Sequence, residues 1–220
     1  VLLFFGMGLF KDTRWPKEKI YTLFIFLLGL ILFFAVEDQI CSSLLLFAER
    51  ETHRTLFGWT IPSAFITSIN PIVILLFGTL VAKRRVQMIT PFIFTACSFG
   101  MLAVFCLFNI SCSIFGVMGV VTMISIAELM IGPLVLSSTS ELAAKGSPGV
   151  VMGMIPIAFS LAFQCSGVVS KMVAIEDRSL SLQTYGTGFG IVSLFVLLGG
   201  LAIQLLVKRF KEENLDHNHI

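Results

Sequence analysis

Charge is scarce in this 220-residue chain. Asp, Glu, Lys and Arg make up 13% of it, about half of the roughly 25% usual in soluble domains. The deficit runs along the whole length, which excludes a water-soluble globule carrying one membrane anchor. Catalytic motifs are missing too. No G-x-x-x-x-G-K-[ST], G-x-S-x-G or H-E-x-x-H occurs, so a phosphate cradle, a nucleophile elbow and a zinc-hydrolase helix are not expected. The sequence does not read as an enzyme. Its five cysteines (Cys41, Cys97, Cys106, Cys112 and Cys165) form no C-x-x-C pair and no metal-ligand spacing. They read as small residues in helices, and no metal or organic cofactor is expected. The basic runs lack the interleaved aromatics of a nucleic-acid binder.

What fills the chain instead is apolar: 56% of residues are hydrophobic. Six apolar segments are expected, at 20–48, 61–82, 88–110, 114–136, 150–174 and 184–207. About 20 apolar residues cross the hydrocarbon core as a helix, whereas barrel strands need only about 10. Backbone groups left unpaired in lipid admit only helices and closed barrels, so the expected fold is all-α, a polytopic bundle of six transmembrane helices. Residues 1–19 read as the end of a preceding helix plus a connector, and 208–220 as a polar tail. The chain opens on Val1, not Met, which predicts a portion upstream.

Lys and Arg choose the orientation. With the connector on the cytoplasmic side, eleven basic residues fall there and four (Arg50, Arg54, Lys171 and Arg178) on the other. The positive-inside rule selects this arrangement, with both termini cytoplasmic and the plasma (inner) membrane as the expected location. Trp15 and Trp59 fall at opposite water interfaces. The six helices divide into three plus three of opposite sense, the inverted repeat found within each half of many transporters. The same count suits a self-assembling six-helix channel, or a membrane or assembly protein that transports nothing.

Few ionisable groups lie within the segments, and a charge near the bilayer centre costs at least roughly 2.5–3.5 kcal/mol, so each one is a candidate for function. Glu128 is the deepest. Starting from Ile114, a rise of 1.5 Å per residue puts it roughly 21 Å along its helix, past the midplane of a core about 30 Å thick. Glu37 and Asp38 form a second acidic site within "FFAVEDQICSSLLLFAER". Adjacent residues on a helix point about 100° apart, so at most one of them faces the interior fully; the sequence leaves open which. Pro71 after Asn70, Pro133 after Gly132, and Pro156 each delete a backbone hydrogen bond. They are expected to interrupt three helices and to act as hinges.

Four motifs in order then resemble one family. "FFAVEDQICSSLLLFAER" is similar to the seventh-helix motif of proton-dependent oligopeptide transporters, a branch of the major facilitator superfamily. "SINPIVILL" resembles the eighth-helix Asn-Pro motif, "AELMIGPLVLS" the tenth-helix pattern Glu-Leu-x-x-Ser-Pro-x-Gly-Leu-Ser, and "MGMIPIAFSLAFQCSG" the helix that follows. The resemblance covers residues 13–211 and implies helices seven to twelve of such a transporter, coupling di- and tripeptide uptake to protons. It implies that Glu128 and Asn70 hold the peptide's amino terminus, with Ser137 from the same tenth-helix pattern at the substrate. It aligns Asp38, followed by Gln39, with the acid of a proton-sensitive gate, Glu37 being the alternative. Gly132, Val135 and Ile155 stand where the family commonly has Ser, Gly and Trp. The family's first-helix Glu-x-x-Glu-Arg-Phe motif and fourth-helix lysine have no counterpart here, which implies an N-terminal six-helix half as partner. Alone, the chain is not expected to transport.

Overall fold

The computed structural model describes residues 17–82, 86–110, 112–143, 148–173 and 181–216. The expected helix end at 1–10, the basic run at 83–85 and the last four residues lie outside these. Among the described residues six helical segments are long and apolar enough to cross a membrane, and the fold is all-α, without a barrel.

The first segment is α1 (Lys17–Glu37), a 3-10 turn (Asp38–Ile40) and α2 (Ser43–Glu51). Three short strands follow, β1 (Thr52–His53), β2 (Thr55–Leu56) and β3 (Trp59–Thr60), then α3 (Ala64–Thr67) and α4 (Ile69–Ala82). Next come α5 (Ile89–Leu107), β4 (Cys112–Ser113), α6 (Ile114–Ala143), α7 (Pro148–Val173) and α8 (Ser181–Asp216). Helix α6 runs on beyond 136, and α8 extends into the stretch expected as tail. Both continue as helix because each further residue adds a backbone hydrogen bond to a helix already nucleated.

Helix α1 lies at the centre and packs against α6, α7 and α8, while α5 packs chiefly against α8 and α6. Phe33, Phe92, Phe99 and Phe189 are fully buried in the core between them. Small residues set how closely α8 approaches its neighbours. A Cβ at Gly200 would collide with the Phe92 side chain of α5, and one at Gly199 with Leu32 of α1. In lipid, where apolar surface gains little from leaving its surroundings, such close backbone approach supplies the packing that holds helices together. Helix α4 packs mainly on α6 and turns Ile72, Leu75 and Leu76 outward.

At one end of the bundle β1 pairs in parallel with β4, Thr52 opposite Cys112 and His53 opposite Ser113. β2 and β3 form an antiparallel hairpin. Cys112 is buried in this ladder, and burial pushes its thiol pKa up.

Two of the three proline expectations need correction. Helices α6 and α7 continue through Pro133 and Pro156, because an apolar surrounding forces the remaining amides to keep their helical partners. Pro71 is the third residue of α4, and the N–H it lacks would have bonded Thr67 O across the junction with α3. The third interruption does occur, since the segment breaks at Ser68 between α3 and α4, one turn before Pro71, and a further break at 38–42 between α1 and α2 has no proline.

Candidate functional site

The 38–42 break is built by polar residues set in an apolar run. Cys41 N–H donates to Asp38 O at 3.1 Å and Ser42 N–H to Gln39 O at 3.2 Å, so the ladder tightens locally. Short polar side chains compete for backbone groups and favour such departures from the α-helix. Gln39 is 1% exposed and saturated. Its Nε2 donates to Ser166 Oγ at 2.9 Å on α7, with Ser166 O at 3.2 Å and Ala35 O at 3.3 Å also in reach. Its Oε1 accepts from Ser43 at 2.6 Å, with Ser42 at 3.2 Å and Ser170 at 3.1 Å. Ser166 Oγ in turn donates to Asp38 Oδ2 at 2.7 Å. One buried amide thus clamps the break onto α7 and orients the Asp38 carboxyl.

Glu37 goes elsewhere. Its Oε1 accepts from Asn70 Nδ2 at 3.2 Å, in the first turn of α4. Glu128 lies near both, close enough to Asn70 and to Glu37 for the three polar side chains to interact. Three elements therefore converge: the end of α1, the start of α4 and the middle of α6. The positive end of the α4 dipole lies beside the acids and favours negative charge there. Glu128 Oε2 and Asn70 Oδ1 are buried without a hydrogen-bond partner. Acceptors outnumber donors in this cluster, and orphaned buried acceptors carry a desolvation cost that a donor-rich group would remove. The chemistry matched to such a site is a cation with several N–H donors.

Of the residues singled out from sequence, Glu37, Asn70 and Glu128 are brought together, whereas Asp38 and Gln39 form the adjoining clamp with α7. Ser137 joins neither. It is exposed, donating to Leu134 O at 3.1 Å, and nine residues along α6 from Glu128 correspond to roughly 14 Å and the opposite helix face. Gly132, one turn beyond Glu128, borders open space: a Cβ there would meet nothing within 4 Å. Sequence reasoning missed Ser166 and Ser170. Their signal was present, two hydroxyls four residues apart on one face of an apolar helix.

Residues 11–187 match the protein family described as PTR2, the POT family. Among curated relatives, dipeptide and tripeptide permease A of Cronobacter turicensis is 25% identical, the match covering 100% of this chain and 49% of that protein. Dipeptide and tripeptide permease B of Xenorhabdus bovienii is 27% identical over 94% of this chain and 46% of its own length. The chain spans about half the length of the curated relatives it matches. A POT family transporter solved in complex with a thioalcohol-conjugated peptide superposes with a TM-score of 0.76 at 16% identity, over 94% of this chain and 45% of that one. A second, solved with 5-aminolevulinic acid, gives 0.75 at 17% identity, over 95% and 46%. At these identities the structures speak to the fold alone.

Proposed function

The chain belongs to the POT family, and from that premise we propose that it forms the C-terminal six-helix half of a proton-coupled di- and tripeptide symporter, working with an N-terminal six-helix half. The observation that carries this reading is the Glu37–Asn70–Glu128 cluster, whose surplus of buried acceptors matches the ammonium group of a peptide's amino terminus. Glu128 and Asn70 are the proposed substrate ligands. Asp38, held by Ser166, is the proposed acid of the proton gate, with protons as the coupling ion and no other cofactor. Glu37 sits with the substrate ligands in this reading and Ser137 is dropped from the site.

The continuous helices through Pro133 and Pro156 each lack one backbone bond, which lowers the cost of bending there; both are proposed hinges. The 3+3 arrangement and the excess of Lys and Arg support placement in the plasma (inner) membrane with both termini cytoplasmic.

The test is reconstitution. The chain is co-expressed with a six-helix N-terminal half, and dipeptide uptake driven by an inward proton gradient is measured in vesicles. Glu128→Gln is expected to lower uptake at least tenfold. Wild-type uptake in that variant would remove Glu128 from the site, and absence of gradient-driven uptake in the unmodified pair would sink the symporter reading.

A further inference from the structure

The hairpin between the first two membrane segments has a feature the transport site does not use. Leu56 pairs with Trp59, so Phe57 and Gly58 make a two-residue turn with φ of 51° and 82°. Positive φ at both central residues is the hairpin turn that suits glycine and asparagine. A phenylalanine held in that region is strained by its Cβ. Among the described residues no side chain covers either ring: Phe57 is 99% exposed and Trp59 beside it 83% exposed. The hairpin's own hydrogen bonds hold that turn, while an aromatic ring left uncovered at its tip points to an external partner.

The base of the hairpin is fixed, so the tip is presented in one direction. Arg54 Nη1 donates to Ile61 O and Nη2 to Glu49 O, each at 3.1 Å. Ile61 N–H donates to Arg54 O at 2.9 Å. The direction follows from the groove that Trp59 lines. With Ile61, Pro62 and Phe65 on one side and Phe115 and Met118 of α6 on the other, it lines an apolar groove of about 300 Å³. The hairpin therefore leans back along the ends of α3 and α6. Phe65 also begins the outward apolar stripe that continues down α4 through Ile72, Leu75 and Leu76, along a segment long and apolar enough to cross the membrane. The groove runs into that outward apolar surface through Phe65.

We propose that the β2–β3 hairpin is a membrane-interface wedge: the Phe57 and Trp59 rings seat at the glycerol and upper acyl level of the adjacent leaflet, and a phospholipid acyl chain occupies the groove. Amphipathic aromatic rings favour that depth. A bulky apolar residue at the turn is then stabilised by lipid.

The chain has two tryptophans, Trp15 and Trp59, so Trp15→Phe leaves Trp59 as the only indole. The full chain with that substitution is reconstituted in nanodiscs of phosphatidylcholine brominated at acyl carbons 6,7 or 11,12. Expected is at least twofold quenching of Trp59 by the 6,7 lipid, less by the 11,12 lipid, and little by aqueous iodide. Quenching by iodide with none by brominated lipid would place the tip in water and overturn the proposal. Quenching by neither would mean that protein covers the tip, and overturns it equally. Phe57→Asn keeps a residue that tolerates positive φ while removing the ring; it is expected to cut the 6,7-lipid quenching at least twofold, and unchanged quenching removes Phe57 from the wedge. The unsubstituted chain, run in parallel, reports the same difference over a Trp15 background should Trp15→Phe fold poorly.

Discussion

Gln39 and Glu37 sit two positions apart in one motif, yet their side chains have opposite situations. Gln39 fills its hydrogen-bonding capacity from α7 and its own segment, whereas Glu37 shares a cluster in which two acceptor oxygens have no donor. The first arrangement stabilises the fold; the second is left open to a ligand. Removing the Gln39 amide should therefore be felt as stability. Ser170 keeps a carbonyl in reach at 3.0 Å, so the loss falls mainly on Ser43 and on Ser166 with Asp38. Since each buried polar group left unsatisfied costs about 1–3 kcal/mol, Gln39→Ala is expected to destabilise the chain by about 2–3 kcal/mol, read by thermal unfolding in nanodiscs. A melting temperature equal to wild type would show that the clamp is replaceable by water. The acids themselves were legible in the sequence because charge is rare in an apolar run. Their division of labour was not, because a 100° step per residue says that Glu37 and Asp38 diverge but not which neighbour each meets. That depends on Asn70 and Ser166, which lie 33 residues from Glu37 and 128 from Asp38 respectively.

Among elements, the helices were readable from apolar length, and the places where they bend only in part. Proline was the signal used, and it marked the break at Ser68 one turn before Pro71, but the prolines of α6 and α7 lie inside continuous helices and the break at 38–42 carries polar side chains instead. A missing donor weakens one bond in a helix, while a hydroxyl or amide that can replace several backbone bonds redirects it. The contact between α5 and α8 belongs to this scale too. Gly200 lies against the buried Phe92 side chain, and an added methyl has nowhere to go. Overpacking a well-filled site costs typically about 1–3 kcal/mol, so Gly200→Ala should lower the unfolding temperature. Gly132→Ala, where the new Cβ meets nothing within 4 Å, is the matched control and should unfold no earlier than wild type. Equal behaviour of the two variants would show that α8 can shift away from α5.

For the whole molecule, the outward face of α4 is the feature that sequence alone leaves ambiguous. A helix apolar all round reads the same whether lipid or protein covers it. In the structure Leu75 is 82% exposed on this face. Leu75→Arg would place a charge where the hydrocarbon core or an apolar partner lies, at a cost of about 2.5–3.5 kcal/mol on insertion scales. The expected outcome is a clear fall in the inserted fraction of this segment in a microsomal glycosylation assay, and unimpaired insertion would mean that the face meets water or an acidic partner.

The β1–β4 ladder has a mechanical consequence. Two residues after α2 pair with the two residues before α6, so two segments some sixty positions apart in sequence are stitched together at one end. A tilt of the α1–α2 segment against α6 then has its fulcrum at that stitch, and displacement grows with distance from it, as along a lever arm. The Glu37–Asn70–Glu128 cluster lies on the far side of the 38–42 break from that stitch, so the spacing of the two carboxyls answers to bending at the break as well as to rotation at the ladder.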